Sequence, residues 1–293
     1  MSGTLLVNLA IAALLSALLY IILKFFTKWK VVNLHGLTFN YLTASTFAFA
    51  NEFHHNCALL PTAKSFILPA LGIGLLFIIV FYTAALTAQK SGIAITSIAG
   101  KMSMVIPITA GVFLYQDQMT LLRIIGIALA LVSVYLASVH AEKGEHPSVL
   151  KNLQYPILLF LGSGCVDTCI KLSQHYFINN ENQNLFFCFL FGSAGVFGTV
   201  ATLYNYFKNK IAVSSRSIFA GIFLGIVNYY SLLFLVKCLA TTGAESALIW
   251  AMTNMLVVIF SSVLAFFIFK EKLSRANQIG ISLALIAIFI LSR

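Results

Sequence analysis

The chain has 293 residues, of which 60% are hydrophobic and 9% charged, and its mean hydropathy is +0.96. Soluble globular domains carry about a quarter charged residues, so the composition excludes one and points to an all-α, polytopic membrane protein. The formal net charge of +10 comes from Lys and Arg scattered over short connections, which excludes a nucleic-acid-binding patch and leaves orientation in the bilayer as its explanation.

A helix needs about 20 apolar residues to cross about 30 Å of hydrocarbon. Ten runs approach that length: 5–26, 36–53, 65–88, 91–115, 120–139, 154–177, 183–206, 217–240, 243–269 and 275–292. The alternating segments of about 10 residues that mark a membrane β-barrel are not seen. The first run lacks a basic leader and a small-residue cleavage site, so it reads as a retained span. The second, "LTFNYLTASTFAFANEF", is rich in Thr, Ser and Asn and needs shielding by other helices. The third carries Gly72 and Gly74 and, near its end, Tyr82.

In the fourth run, "AGKMSMVIP" sets Lys101 near the middle with Ser97 on its face and no acid at i±3 or i±4, and Pro107 is expected to kink the helix. The sixth contains "CVDTCIK", in which Asp167 and Lys171 lie one turn apart, and Ser163, Gln174 and His175 extend the same stripe. The seventh has Gly192, Gly195 and Gly198, which with Gly72 and Gly74 allow close helix approach. The eighth has Asn228 and Tyr229, and the ninth a polar and aromatic stripe of Ser246, Trp250, Thr253 and Asn254. The five cysteines show no C-x-x-C or metal spacing. No metalloprotease, nucleophile-elbow or phosphate-loop motif is found, so no cofactor, metal or ATP-driven cycle is expected.

The odd-numbered connections hold eleven Lys and Arg residues, from Lys28 and Lys30 to Lys270, Lys272 and Arg275, whereas the even ones and the termini hold three, Lys64, Arg123 and Arg293. Cations of short loops stay cytoplasmic, so the odd connections are expected inside and both termini outside, in a multi-pass inner-membrane protein. Four lysines fall within spans: Lys24, Lys101, Lys171 and Lys237.

A shift of 154 residues lays spans 4 and 5 on spans 9 and 10, matching Asp117 with Glu271, Thr120 with Ser274, Gly126 with Gly280 and Gly100 with Asn254. The hydroxyls suit N-caps. A shift of 147 matches Ser16, Tyr20 and Lys24 with Ser163, Asp167 and Lys171. Two repeats, 1–140 and 154–293, joined by a polar linker at 141–153, follow. Five spans per repeat is an odd number, so the second must lie inverted, an arrangement common in secondary transporters and open to channels as well.

At "SIAGKMSMVIPITAGVFLYQDQMTLLRIIGIALALVSVYLAS" and "ALIWAMTNMLVVIFSSVLAFFIFKEKLSRANQIGISLALIAIFILS" the chain resembles the drug/metabolite transporter superfamily, in particular its EamA-type members with ten helices in two five-helix repeats. Ser261 stands where the second repeat often has proline, and Asp117 where the first often has glutamate. The resemblance implies alternating-access transport of a small organic solute, commonly outward, with the bilayer as surroundings; a homodimer stays open.

A charge within the bilayer costs about 2.5–3.5 kcal/mol on insertion scales, so it usually faces a cavity or a partner. Two readings stand for Asp167 and Lys171: mutual neutralisation, or lining of the solute pathway together with Ser163. Lys101 needs a partner from another helix, a watery cavity or an anionic solute. Lys24 reads as snorkelling to the inner surface, and Lys237 and Glu245 as interface or outer-gate residues. The expected pathway set is Lys101, Asp167, Lys171, Ser97, Ser163, Trp250, Asn254, Tyr82 and Tyr229. The competing function is a membrane-embedded enzyme or lipid-carrier processing protein with Asp167 and His175 as acid and base, and a third reading is a passive channel.

Overall fold

The computed structural model describes residues 3–51, 53–115, 120–138, 149–179, 181–239, 246–271 and 273–291. Among them the chain is helical, without a strand. The helices are α1 (Gly3–Lys28), α2 (Asn33–Asn51), α3 (Phe53–Leu59, then a 3-10 turn at Leu60–Ser65), α4 (Ile67–Lys90), α5 (Ile93–Met102), α6 (Val105–Tyr115) and α7 (Leu121–Ser138). They continue as α8 (Val149–Tyr176), α9 (Gln183–Asn209), α10 (Ser215–Leu239), α11 (Ser246–Phe269) and α12 (Arg275–Leu291). Seven stretches among the described residues are long and apolar enough to cross a membrane: α1, α4, the α5–α6 pair, α8, α9, α10 and α11. The chain is a multi-pass membrane protein. Helices α7 and α12 are apolar but shorter, and α2 buries a polar face that includes Thr38 and Asn40.

The helices gather into two compact units, each of which draws on both of the repeats expected at 1–140 and 154–293. One comprises residues 1–24, 83–164 and 230–293, the other 25–82 and 165–229. The expected linker at 141–153 lies outside the described residues as far as 148, as does Asp117. The units cut across the halves because helices pack on helices drawn from the opposite half.

In the first unit α7 runs along α12, and α5 packs against α11. Their core joins Met102, Val134, Ala251, Ala284 and Ile288. The α7–α12 contact is reciprocal. A Cβ at Gly126 would stand 2.7 Å from Leu291 Cγ, and one at Gly280 would stand 2.8 Å from the Ala137 nitrogen. Each helix thus presents its early glycine to the end of the other, so the two run antiparallel. The caps agree: Thr120 Oγ1 accepts the Arg123 N–H at 3.3 Å, and Ser274 Oγ accepts the Asn277 N–H at 3.1 Å. Asn277 completes a capping box by accepting the Ser274 N–H at 3.0 Å, and its amide donates to the Ala137 carbonyl. One end of this unit gathers Lys90, whose ammonium donates to the Tyr155 hydroxyl, with Ser91 and Ser274. Leu5 and Leu9 instead pack on Cys238 and Ile249.

In the second unit α2 runs antiparallel along α9. Thr38 and Thr202 share a 3.2 Å hydroxyl contact, Ser45 Oγ donates to the Cys188 carbonyl at 3.0 Å, and Asn184 Nδ2 donates to the Ala48 carbonyl at 3.2 Å. The polar face of α2 is covered as its composition requires. Gly221 and Gly225 of α10 press on it so closely that a Cβ at either would lie 2.5 Å from the Gly36 or Asn40 carbonyl oxygen. Tyr41 is fully buried among Phe77, Phe81 and Phe191. Gly72, expected at a close contact, has no atom within 4 Å of a Cβ position, whereas Gly74 meets Ser193.

Candidate functional site

The fourth predicted span is broken. Pro107 has no N–H to give the Ser103 carbonyl, and its ring crowds that carbonyl. The Ser103 carbonyl therefore accepts from Ile106 at 2.9 Å instead, the Met104 N–H reaches the Lys101 carbonyl at 3.4 Å, and the helix is interrupted at Ser103–Met104. The Ser103 hydroxyl donates to the Gly100 carbonyl at 2.7 Å, which satisfies part of the opened backbone. The expected kink is thus a break a full turn before the proline.

That break puts Lys101 in the last turn of α5, where the helix dipole favours a cation by about 0.3–1 kcal/mol. Interrupted helices with exposed backbone ends form the binding centres of many transporters. Around the break, Asn254 of α11 is 7% exposed and its amide lies 4.0 Å from Met104 Sδ. A Cβ on Gly100 would stand 3.0 Å from the Tyr20 hydroxyl oxygen. Lys101, Tyr20, Asn254 and Met104 thus come from three segments of one unit. Trp250 lies one turn before Asn254 and is 44% exposed. Ser97 differs: it is fully buried and donates to its own helix at the Ala94 carbonyl, 2.8 Å away. Ser163 precedes Gly164, where a Cβ would run into Ile106 of α6.

The same unit holds an ion pair that the sequence alone does not reveal. Lys24, read from sequence as snorkelling, instead pairs with Glu271, their side chains 22% and 15% exposed. Glu271 also accepts the Ile93 N–H, the first of α5, at 3.2 Å from both carboxylate oxygens. Three forces hold this carboxylate: the ammonium, a backbone donor and the positive end of the α5 dipole. Gly92 makes the approach possible, with φ at 105° and a Cβ position only 3.2 Å from Glu271 Oε2. The Lys24 ammonium also lies 5.1 Å from the Phe269 ring centre, and Gln89 Nε2 donates to the Leu23 carbonyl at 2.9 Å. A cavity of about 270 Å³ opens beside the pair, with Ser91, Ser274 and Asn277 on its wall.

In the second unit Asp167 and Lys171 are exposed on α8, as are Gln174 and His175. Asp167 and His175 are eight residues apart on one helix, about 12 Å along its axis. Tyr82 is 40% exposed. Tyr229 is 4% exposed with its ring 5.9 Å from that of Phe47, and neighbouring Asn228 donates to Asn40 Oδ1 at 3.2 Å. No group of His, Cys, Asp and Glu suited to a metal occurs among the described residues.

Glu271 is the charged partner that motifs do not mark, because "FKEKLS" looks like an ordinary charged connection. Its signal lay in charge balance. Lys24 lies at the end of its span that leads into the first connection, and Glu142, Glu145 and Glu271 are the acids in the odd connections.

No family model matches the chain. An uncharacterized protein of Haemophilus influenzae is 26% identical over 292 residues, covering 97% of both chains. A solved crystal structure, titled only as that of a protein, superposes with a TM-score of 0.59 over 96% of both chains at 11% identity. The chain therefore shares its fold end to end with a solved structure and nearly its full length with a bacterial relative.

Proposed function

We propose that the chain is a secondary transporter of a small organic solute, built from ten spans in two inverted five-helix repeats like the EamA-type drug/metabolite transporters. It moves its solute out across the inner membrane by alternating access. The observation that carries this reading is which helices pair. Helix α7 lies on α12, α5 on α11 and α2 on α9, and each is the other's counterpart when one half of the chain is laid on the other. The contact of Gly126 with Leu291 becomes that of Gly280 with Ala137 under the 154-residue shift. Reciprocal contacts between antiparallel counterparts are what a two-fold axis lying in the membrane plane produces, and that axis is the hallmark of inverted repeats.

The sorting of loops supports the same topology. In the first unit the third and ninth connections meet beside Lys24, and Lys90 of the third meets Tyr155 at the start of the sixth span. In the second unit the first and seventh connections adjoin. All are odd-numbered, the set that together holds eleven Lys and Arg residues, as a cytoplasmic face requires. In this reading Lys101, at the interruption between α5 and α6, contacts the solute, with Tyr20, Asn254 and Trp250 around it. The Lys24–Glu271 pair is the cytoplasmic latch that ties α1, the start of α5 and the α11–α12 turn. Opening requires the solute to favour the open state by more than the latch favours the closed one.

The test is a solute library screened by thermal stabilisation of the purified protein and repeated with Lys101→Ala. Stabilising solutes are expected to lose about tenfold or more in affinity, as for the loss of a charge-assisted contact. Equal binding by the variant would remove Lys101 from the site.

A further inference from the structure

At the end of the second unit that carries the α1–α2 connection, a cavity of about 650 Å³ opens between that connection and the first turn of α10. Three cations line it, Lys28, Lys30 and Arg216, together with the rings of Trp29, Phe219 and Phe223, and among the described residues no acidic side chain does. The rings form one wall: Phe219 and Phe223 lie one turn apart on α10 and are 72% and 52% exposed. On a helix apolar enough to cross the membrane, rings so exposed meet hydrocarbon.

The cationic rim is fixed by backbone geometry. α1 closes with the Val31 N–H on the Phe26 carbonyl at 2.8 Å and the Lys30 N–H on the Thr27 carbonyl at 3.2 Å. This closure holds Lys30 at φ 54°, a conformation that glycine normally supplies. Trp29 stacks on Phe25 at 5.1 Å between ring centres, which stiffens the rim at the depth where tryptophan marks the membrane interface. Arg216 stands in the first turn of α10, where the helix dipole adds positive potential. Cations at headgroup depth above exposed rings at acyl depth fit one kind of ligand: an amphiphile with an anionic head and a hydrocarbon tail. A soluble phosphate would use the cations and leave the rings idle.

We infer that this cavity is a binding site for an anionic phospholipid of the cytoplasmic leaflet, with its phosphate among Lys28, Lys30 and Arg216 and an acyl chain along Phe219 and Phe223. The choice of leaflet rests on the orientation proposed above. Binding by purified protein in detergent does not, so the two can fail separately.

The experiment is native mass spectrometry of the full chain with equimolar phosphatidylglycerol and phosphatidylcholine of matched acyl chains. The wild type should retain phosphatidylglycerol by about tenfold or more over phosphatidylcholine, and each single neutralisation should lower that preference by about two- to fivefold. Lys28→Gln with Lys30→Asn and Arg216→Gln should bring the two lipids within about twofold. Lys64→Gln with Arg123→Gln, which removes cations from the even connections, should keep the preference. Phe219→Ala with Phe223→Ala should weaken retention of both lipids. The inference is overturned by no preference in the wild type, by a preference that survives neutralisation of all three cations, or by equal loss in the Lys64 and Arg123 control. It is also overturned if millimolar inorganic phosphate displaces the lipid while the phenylalanine variant binds normally, because the site would then serve a soluble anion. The single variants keep the test open if the triple variant fails to fold.

Discussion

Glu271 shows how one carboxylate can join three pieces of chain. It receives the Lys24 ammonium and the Ile93 N–H while lying against Gly92. Both side chains are largely buried, so removing one partner leaves the other desolvated and uncompensated. Glu271→Gln and Lys24→Met should each lower unfolding stability by about 1–3 kcal/mol, below the roughly 3–5 kcal/mol of a fully buried pair because some solvent reaches both groups. The double variant should lose less than the sum, with a coupling of about 1 kcal/mol or more; additive losses in thermal unfolding would show that the two do not act as a pair. Lys24 was legible in sequence as an unusual in-span cation, but its partner lies 247 residues away. Nothing local marked Glu271, since pairing over that separation is a product of packing.

At the level of elements, the sequence reads well where period and punctuation speak together. The threonine-rich second run becomes α2, shielded by α9 and α10, and the hydroxyls at Thr120 and Ser274 cap α7 and α12. It reads less well where a backbone choice decides. Pro107 announces a disturbance, yet the break falls at Ser103–Met104 because Ser103 and Ile106 can take over the freed hydrogen bonds. Gly221 and Gly225, four residues apart, carry the contact of α10 with α2, whereas Gly72 carries none; spacing alone does not separate them.

The α7–α12 glycines give a sharper test of packing. A methyl at Gly280 would meet the backbone of Ala137 and Ser133, which cannot move aside, while one at Gly126 would meet the Leu291 side chain, which can rotate. Gly280→Ala should therefore cost about 1–3 kcal/mol and Gly126→Ala less than about 1 kcal/mol, read as midpoints of thermal or denaturant unfolding. The counterparts are symmetric in position but not in consequence.

For the whole molecule, composition and periodicity made the membrane-spanning helical class legible, and the cation count gave an expected orientation. The compact units were not legible. The sequence was read as two repeats joined by a polar linker, but helices on either side of that linker pack on each other, and those tertiary pairings leave no local trace. The residues proposed for a solute pathway were legible only as unusual polar groups in apolar runs. Lys101 lies at a helix break, whereas the Ser97 hydroxyl donates to its own helix.

Transport itself is tested most directly by counterflow in proteoliposomes, with solutes chosen by thermal stabilisation preloaded inside and traces of the labelled solute outside. Saturable, transient accumulation of chemically unchanged label is expected, falling at least about tenfold in Lys101→Ala. Non-saturating flux without counterflow, or recovery of a modified product, would contradict it.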